Sequence, residues 1–363
     1  MPIREESFRI GCGRYLQGAG YLEKAGDEVQ KLGKSPLIVG GKTALEITKE
    51  SLENSIKEKC NKYKFVTHTG TCNEEDAKEI AENATTEGLD VIVGVGGGVI
   101  CDFAKLCGYY AKLPVINIPT SSATCAAYTP LSVRYTKDGK TVGSLHYEYE
   151  VNCVIVDTKI MVNQPMRLFI AGVFDAIAKS VEIKQRFNEN TTDYPIGLDC
   201  AYVLAKHSYR VLTERIEKCL SDMEKGEVTD DVEKVIFSAI AETGVISGIA
   251  RGSNQTALGH KFYETTRFLF PDSARPYLHG EIVGIGLLLQ NKFNNEPENN
   301  NFILNLMNKY NMPSKVSEIG VDLSEESFDK YYKKICGSSA VNEKDEEECK
   351  RFKDALRYLW ERG

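Results

Sequence analysis

Residues 88–105, GLDVIVGVGGGVICDFAK, constrain the fold more than any other stretch of the chain. An apolar run at 91–93 ends in a turn with glycine at 94 and at 96–98, and a helical pattern follows. This order predicts a buried strand, a glycine turn and the start of a helix. Because glycines let the backbone approach an anion and a helix N-terminus presents free N–H groups, the stretch predicts a phosphate or pyrophosphate site. The alternative is a tight turn that binds nothing.

The glycines of this turn do not form the ordinary dinucleotide-binding fingerprint, G-x-G-x-x-G. Reading the fingerprint from Gly94 puts Val99 at the last position. Reading it from Gly96 puts Cys101 there. A nucleotide site at this turn is therefore of a variant type.

Strand and helix signals alternate over the first 158 residues. Short apolar runs predict strands at 37–39, 64–67, 91–95, 114–119 and 154–157. Helical patterns lie between most of them, and Asn73 is a good N-cap for the acidic helix that follows it. A hairpin is expected at 132–144. The alternation predicts an α/β fold with a mostly parallel sheet and helices on both faces.

From Pro165 onward the pattern becomes helical. Helical spacing is found at 165–188, 197–220, 229–250, 254–268, 280–293 and 300–309. A chain of 363 residues also exceeds what one hydrophobic core usually covers. We therefore expect two domains, a dinucleotide-binding α/β domain over 1–163 and an all-α, metal-binding domain over 164–363.

Composition excludes several classes of protein. The chain has 45 basic and 52 acidic residues, a net charge of −7 and no basic block, which argues against a nucleic-acid partner. No apolar run has the roughly 20 residues that span a bilayer, and the N-terminus lacks a secretory signal. The eleven cysteines are scattered and contain no C-x-x-C pair, so they indicate reduced thiols. We expect a cytoplasmic protein without a nucleic-acid or membrane partner.

Two histidines and one aspartate in the helical half are candidate metal ligands. His260 lies in TALGHKFYE and His279 in YLHGEIVGIG, both in helical patterns. Asp175 lies among apolar residues in GVFDAIAKSVE, where an unpaired carboxylate is costly. Lys179, four residues later, is the alternative partner for that carboxylate. Two imidazoles and one carboxylate also make a three-ligand site with an open position, as catalytic zinc or iron requires.

The chain resembles the glycerol-dehydrogenase branch of the iron-containing (group III) alcohol dehydrogenases, which share their fold with dehydroquinate synthase. The matching segments occur in the family's order, at 14–20, 91–105, 119–139, 172–182 and around the two histidines. The resemblance implies an α/β nucleotide-binding domain followed by an all-α domain. It also implies a metal-dependent, NAD(P)-linked oxidoreductase, which interconverts a small alcohol, polyol or hydroxy acid with its carbonyl form by hydride transfer. We expect a small-molecule substrate and a homo-oligomer.

The resemblance also implies a role for individual residues. The metal ligands, which are thereby the catalytic residues, are Asp175, His260 and His279. Backbone N–H groups hold the pyrophosphate at Gly97, Gly98 and Val99. The residues that line the rest of the cofactor are Thr120, Ala123, Thr129, Leu131 and Tyr135, the last three beside the nicotinamide. The cofactor is NAD or NADP, together with one divalent metal, zinc or iron.

The chain departs from the family pattern in three places. Lys179 stands where many members have a fourth ligand, a histidine, which favours a three-ligand site. Cys125 stands where glycerol dehydrogenases carry an aspartate that can contact the polyol. This substrate-site difference disfavours glycerol and favours an anionic or less hydroxylated carbonyl compound. No acid follows the strand that ends at Val39, and Lys42 is close, so NADPH is expected to bind at least comparably with NADH.

Two other classes of protein remain open. A dehydroquinate-synthase-like cyclase would use the same fold, NAD and a metal for elimination and ring closure. Such enzymes usually have a glutamate as first metal ligand, so Asp175 argues against this alternative. A binding protein without catalytic activity is the other class, and the intact set of three ligands argues against it.

Overall fold

The computed structural model describes residues 10–186, 195–250 and 255–363. These residues form two compact units. The first, here the α/β unit, contains 10–165 and 213–248, and the second, here the helical unit, contains the described residues of 166–212 and 249–363. The segment 213–248 therefore groups with the α/β unit although it is helical. Domain limits at 1–163 and 164–363 stay a prediction.

The α/β unit is built on a six-stranded sheet in the order β1-β8-β5-β4-β2-β3, in which every neighbouring pair is parallel. An antiparallel hairpin of β6 and β7 stands apart from it. The strands are β1 (Tyr15–Gly18), β2 (Pro36–Gly40), β3 (Lys64–Thr67), β4 (Val91–Gly96), β5 (Val115–Pro119), β6 (Leu131–Tyr135), β7 (Thr141–His146) and β8 (Cys153–Asp157). The prediction of an α/β fold with a mostly parallel sheet is confirmed.

The apolar runs of the sequence explain the central position of four strands. Every residue of β2, β4, β5 and β8 is buried, as expected for strands of a parallel sheet that is covered on both faces. The edge strand β3 is only partly buried. The fully buried strands of the sheet are therefore those that carry the longest runs of apolar, largely β-branched residues.

Helices cover the sheet and make up the helical unit. In chain order the described residues form α1 (Ala25–Gln30), α2 (Lys42–Ile56), α3 (Glu74–Thr86), α4 (Gly98–Ala111), α5 (Thr158–Met161), α6 (Met166–Ile183), α7 (Ile196–Glu224), α8 (Asp230–Phe237), α9 (Thr243–Ile249), α10 (Leu258–Leu269), α11 (Pro271–Ala274), α12 (His279–Phe293), α13 (Asn300–Lys309), α14 (Glu325–Cys336) and α15 (Glu346–Glu361). Asn73 caps α3 as expected, since its side chain accepts the N–H of Asp76. Among the described helices, none is both long and apolar enough to cross a membrane.

The strand order has one point at which the connections from two neighbouring strands lead to opposite sides of the sheet. From β2 the chain passes to the edge strand β3, whereas from β4 it passes to β5 on the other side. The carboxyl ends of β2 and β4 therefore flank a topological switch point, which is where open parallel sheets bind their ligands. The glycine turn follows β4 directly, and Lys42 begins the helix after β2.

Candidate active site

The helical unit brings Asp175, His260 and His279 together from α6, α10 and α12. One donor atom from each residue lies within 4.8 Å of the others. Asp175 and His260 are buried, whereas the side chain of His279 is 28% exposed. Three converging donors with one partly open side are what a catalytic divalent cation requires.

Glycines allow the three helices to approach closely enough for this convergence. A Cβ atom at Gly280 would lie 1.8 Å from the carbonyl oxygen of Ala171, so α12 touches the backbone of α6. A Cβ atom at Gly286 would lie 2.5 Å from the carbonyl oxygen of Gly259, so α12 also touches α10. Any larger side chain at these glycines would separate the helices that carry the donors.

An ion pair between the buried Glu281 and Arg167, whose side chain is 53% exposed, holds the start of α12, where His279 is the first residue. Arg167 donates from Nε and Nη2 to the two carboxylate oxygens of Glu281, at 2.7 Å each. Glu281 also accepts the backbone N–H of Leu278 at 2.7 Å. This bidentate contact fixes the first turn of the helix and with it the position of His279.

The carboxylate of Asp175 has the environment of a cation ligand. Its Oδ1 lies 3.3 Å from Nζ of Lys179, 3.3 Å from Nε2 of His260 and 3.4 Å from Nε2 of His279. Although buried, this oxygen accepts no well-aligned hydrogen bond among the described residues. Burial opposes ionisation, but Lys179 and the two histidines outweigh it and hold the pKa of Asp175 well below its usual value. The donor set therefore fits a divalent cation.

Lys179 occupies the centre of this arrangement, as the i+4 partner of Asp175 that the sequence offers. Its buried ammonium also lies 3.0 Å from Nε2 of His260 and can donate to it. The structure thus contains both the ion pair of the structural alternative and the three-donor set of the metal hypothesis. Both use the same atoms of Asp175 and His260.

Glu182 orients His260 from the opposite side of the imidazole ring. Its carboxylate accepts from Nδ1 of His260 and, at 2.8 Å each, from the backbone N–H groups of His260 and Ala257. Because Nδ1 carries the proton toward Glu182, the lone pair of Nε2 faces Asp175. Burial disfavours the protonated imidazole, but the charge of Glu182 outweighs this and raises the pKa of His260.

The surroundings of His279 favour the neutral form of its imidazole. Burial lowers its pKa, and the charge of Asp175 offsets this only in part. Tyr263 packs its ring against that of His279, with centroids 4.3 Å apart in an edge-on arrangement. A neutral ring with a fixed orientation is the form in which histidine binds a metal.

The glycine turn lies in the α/β unit between β4 and α4, as the sequence predicts. Gly96 has φ +158°, and α4 begins at Gly98 without a side-chain cap. Val99 in the first turn is 48% exposed although it is apolar. The first N–H groups of α4 therefore lie at an accessible helix N-terminus, the kind of place where a phosphate binds.

The loop after β5 packs against this turn. The N–H of Thr120 donates to the carbonyl of Gly96 at 3.0 Å. A Cβ atom at Gly97 would lie 3.3 Å from Oγ of Ser121, and one at Gly98 would lie 2.8 Å from Oγ1 of Thr124. The structure thus places the start of the expected cofactor-lining segment directly beside the glycines.

The other expected cofactor and substrate residues lie farther along the same segment. Ala123 and Cys125 are partly exposed in the loop, and the carbonyl of Cys125 accepts the N–H of Thr129 at 3.2 Å. Leu131 begins β6. Tyr135 ends β6 at a register irregularity, where its N–H donates to the carbonyl of Cys72.

A buried ammonium anchors this loop to the helix that follows the glycine turn. Nζ of Lys105, on α4, donates to the carbonyls of Ala126 and Thr129 at 2.7 and 2.9 Å, and also to that of Leu131. Its charge is matched by Asp102, whose Oδ1 lies 2.8 Å away. The pair ties the expected nicotinamide-side segment to the expected phosphate-binding helix.

Comparison with known proteins gives the family of the chain. The family described as iron-containing alcohol dehydrogenase matches residues 12–158. The glycerol dehydrogenase of Thermotoga maritima is 30% identical over 331 residues, which cover 89% of this chain and 88% of that protein. The chain belongs to the iron-containing alcohol dehydrogenase family.

Two further relatives place this alcohol dehydrogenase family member on the glycerol-dehydrogenase-like branch. The glycerol dehydrogenase of Escherichia coli is 32% identical over 78% of this chain and 77% of that protein. The solved structure of glycerol dehydrogenase from Schizosaccharomyces pombe has a TM-score of 0.83 at 22% identity, over 99% of this chain and 91% of that one. The latter likeness shows the shared fold.

Membership in the iron-containing alcohol dehydrogenase family makes the chain an oxidoreductase that acts on CH–OH groups. The predicted dehydrogenase activity is thereby confirmed at this level. Nothing in the comparisons favours the cyclase alternative.

Sequence reasoning missed the residues that hold this alcohol dehydrogenase's candidate site in place. Glu182 lies seven residues after Asp175, which is two turns later on the same face of α6, so its spacing could have indicated it. Asp102 and Lys105 form an i,i+3 pair within an otherwise apolar helix, a comparable signal. The partnership of Arg167 with Glu281 has no local signal, since 114 residues separate them.

We expect Glu182→Gln to weaken Zn²⁺ binding about 10- to 100-fold while the protein stays folded. The amide oxygen can still accept backbone N–H groups, but the amide nitrogen cannot accept from Nδ1 of His260, so the ring loses its fixed tautomer. Competition with a chromophoric chelator measures the affinity. Glu264→Gln, at an exposed position on α10, is the matched control and should bind Zn²⁺ like the wild type. Wild-type affinity in folded Glu182→Gln would contradict this role.

Proposed function

We propose that this protein interconverts a small alcohol, polyol or hydroxy acid with the corresponding carbonyl compound, and that Asp175, His260 and His279 bind the divalent cation that the reaction requires. The observation that carries the proposal is the convergence of these three donors within 4.8 Å. Two further observations support it: among the described residues the buried Oδ1 of Asp175 accepts no well-aligned hydrogen bond, and burial lowers the pKa of His279.

The nicotinamide cofactor is proposed to bind along the carboxyl edge of the sheet. Gly97, Gly98 and Val99 offer backbone N–H groups to the pyrophosphate at the uncapped N-terminus of α4. The rest of the cofactor is assigned to one continuous segment, at Thr120, Ala123, Thr129, Leu131 and Tyr135. The contacts of Lys105 with the carbonyls of this segment support a rigid nicotinamide side.

Each group of the site has a defined task in this proposal. When bound, the cation supplies a Lewis acid that lowers the pKa of an alcohol and stabilises negative charge on its oxygen, and the nicotinamide exchanges hydride with the adjacent carbon. Asp175, His260 and His279 orient the cation. Glu182 keeps the Nε2 lone pair of His260 directed at it.

The choice of metal and nucleotide follows from the chemistry of the residues present. Imidazole and carboxylate ligands suit zinc and ferrous iron alike. β2 ends at Gly40, Gly41 follows it, and the exposed Lys42 begins α2. With no acid to repel a 2′-phosphate, we propose that NADPH is accepted alongside NADH. A homo-oligomer and a cytoplasmic location complete the proposal.

Turnover by the metal-loaded protein tests the proposed function. We expect protein loaded with Zn²⁺ or Fe²⁺ to oxidise NADH and NADPH at comparable rates in the presence of small carbonyl compounds, with glycerol oxidation weaker. Absorbance at the nicotinamide band measures the rate across a panel of 2-oxo acids, hydroxyketones and alcohols. Protein stripped with a chelator is the control. Absence of turnover with every carbonyl compound and both nucleotides would contradict the proposal and would favour a cyclase or a binding protein without catalytic activity.

A further inference from the structure

One ammonium group holds the segment that is proposed to lie beside the nicotinamide. Residues 120–130, between β5 and β6, form neither helix nor strand, so regular secondary structure does not fix their conformation. The buried Nζ of Lys105 donates to the carbonyls of Ala126, Thr129 and Leu131. Because an ammonium has three N–H bonds, these three carbonyls account for all of its donors.

Asp102 supplies the charge that stabilises this ammonium in the interior. Its Oδ1 lies 2.8 Å from Nζ of Lys105 and accepts no well-aligned hydrogen bond among the described residues. The carboxylate therefore attracts the ammonium by charge and leaves its N–H bonds to the carbonyls. Asp102 also holds the start of β6, since its Oδ2 accepts the N–H of Val133 at 3.0 Å and its carbonyl accepts from Oγ of Ser132 at 2.7 Å.

Other groups hold the part of the segment that lies nearer the glycine turn. The N–H of Thr120 donates to the carbonyl of Gly96 at 3.0 Å. The N–H of Ser122 donates to Oε1 of the buried Gln164 at 2.8 Å. Neither of these contacts involves Lys105. The pyrophosphate side of the proposed cofactor site and its nicotinamide side therefore have separate supports.

We propose that Lys105 is a positioning residue for the nicotinamide end of the cofactor, through its contacts with the carbonyls at 126–131. This inference rests on the proposed function, which assigns Thr129 and Leu131 to the nicotinamide side. Without the ammonium, three carbonyls that are at least partly buried lose their donor, so the segment changes its conformation. The nicotinamide then loses its fixed surroundings, whereas the pyrophosphate keeps the N–H groups of the glycine turn.

A double variant, Asp102→Asn with Lys105→Met, tests the proposal. It removes both charges together, so no unpaired buried charge remains, and the amide oxygen of asparagine can still accept the N–H of Val133. Calorimetry on the Zn²⁺-loaded protein measures the affinities for NADH and for ADP-ribose, which has the pyrophosphate but no nicotinamide. We expect the Kd for NADH to rise about tenfold and the Kd for ADP-ribose to stay within about twofold of the wild-type value.

The emission of bound NADH gives a second readout, because it reports how firmly the nicotinamide ring is held. At saturating NADH we expect weaker emission per bound nucleotide in the double variant than in the wild type. Asp102→Asn with Lys105→Gln is a second variant, in case the first does not fold, and its shorter amide cannot serve all three carbonyls. Asp230→Asn with Lys234→Met, which replaces an exposed ion pair of α8, is the matched control and should bind both nucleotides like the wild type.

Unchanged affinity for NADH and unchanged emission in a folded double variant would overturn the proposal. An equal loss of affinity for NADH and ADP-ribose would do so as well, because it indicates a general structural role. Failure of the proposed function gives a different result. If the wild type binds both nucleotides but reduces no carbonyl compound, the proposed activity is wrong and the two affinities still decide the role of Lys105. If the wild type binds neither nucleotide, both proposals are wrong.

Discussion

Replacing Asp175 by alanine is expected to lower the affinity for Zn²⁺ by more than about 100-fold, the largest effect of any single change in this protein. The variant loses the only charged donor among the three, and its oxygen contacts both imidazoles. His260→Ala and His279→Ala should also lose tightly bound metal. Elemental analysis after gel filtration, with one equivalent expected for the wild type, measures the outcome.

Variants that lack the Asp175 carboxylate are also expected to be less stable than the wild type. Removing this carboxylate takes away the negative charge that lies 3.3 Å from the buried ammonium of Lys179, at a cost of about 3–5 kcal/mol in the free energy of unfolding. Asp175→Asn keeps the shape of the side chain and limits repacking, so it separates loss of the ligand from loss of the fold. Full metal content in all three alanine variants would show that the cation binds elsewhere.

Gly98→Val is expected to weaken binding of NADH by an order of magnitude or more. Its Cβ would lie 2.8 Å from Oγ1 of Thr124 and 3.5 Å from Cβ of Ala126, and its methyl groups would fill the space where the pyrophosphate is proposed to approach the backbone. Titration of the nicotinamide fluorescence measures the Kd. Circular dichroism of the same sample checks that the variant is folded.

Ala111→Val is the control for this substitution. It adds the same β-branched side chain to the last residue of α4, at the opposite end of the helix from the glycine turn. Its nucleotide affinity should match that of the wild type. If folded Gly98→Val also binds NADH with wild-type affinity, the pyrophosphate does not lie at this turn.

The sheet could be predicted from sequence because each of its central strands carries its own signal. The β-branched runs of β2, β4 and β8 are buried on both faces, so they are apolar without interruption. The glycine turn marks the end of β4 in the same local way. These features depend on a few adjacent residues, which is why reasoning from the chain alone identifies them.

Two helices near the C-terminus escaped prediction. α14 and α15 are rich in lysine and glutamate, and their apolar residues form only a narrow buried stripe, with Phe328 and Tyr331 on the first and Phe352 and Leu356 on the second. Their side chains are buried because of what they pack against, not because the segments are hydrophobic. Tertiary contact, rather than local pattern, decides their burial.

The candidate metal ligands could be predicted from the sequence, but the residues that hold those ligands in position could not. Asp175, His260 and His279 have unusual residue types for their surroundings, and this makes them visible in the sequence. The roles of Glu182 and Arg167 depend on which helices face one another, and that information is not local. The sequence indicates Lys179 as an ion-pair partner of Asp175, but its contact with His260 is found only in the folded structure.

The long separation between the donors has a consequence for how the protein is made. Asp175 on α6 and His260 on α10 are 85 residues apart, and His279 follows still later in the chain. During synthesis, Asp175 therefore leaves the ribosome long before its partners exist, and closure of so large a loop is entropically unfavourable until α10 and α12 can pack. We expect that the growing chain has no cation site, and that Lys179 serves as the early counter-charge of Asp175. We therefore expect the metal to bind only after the chain has folded.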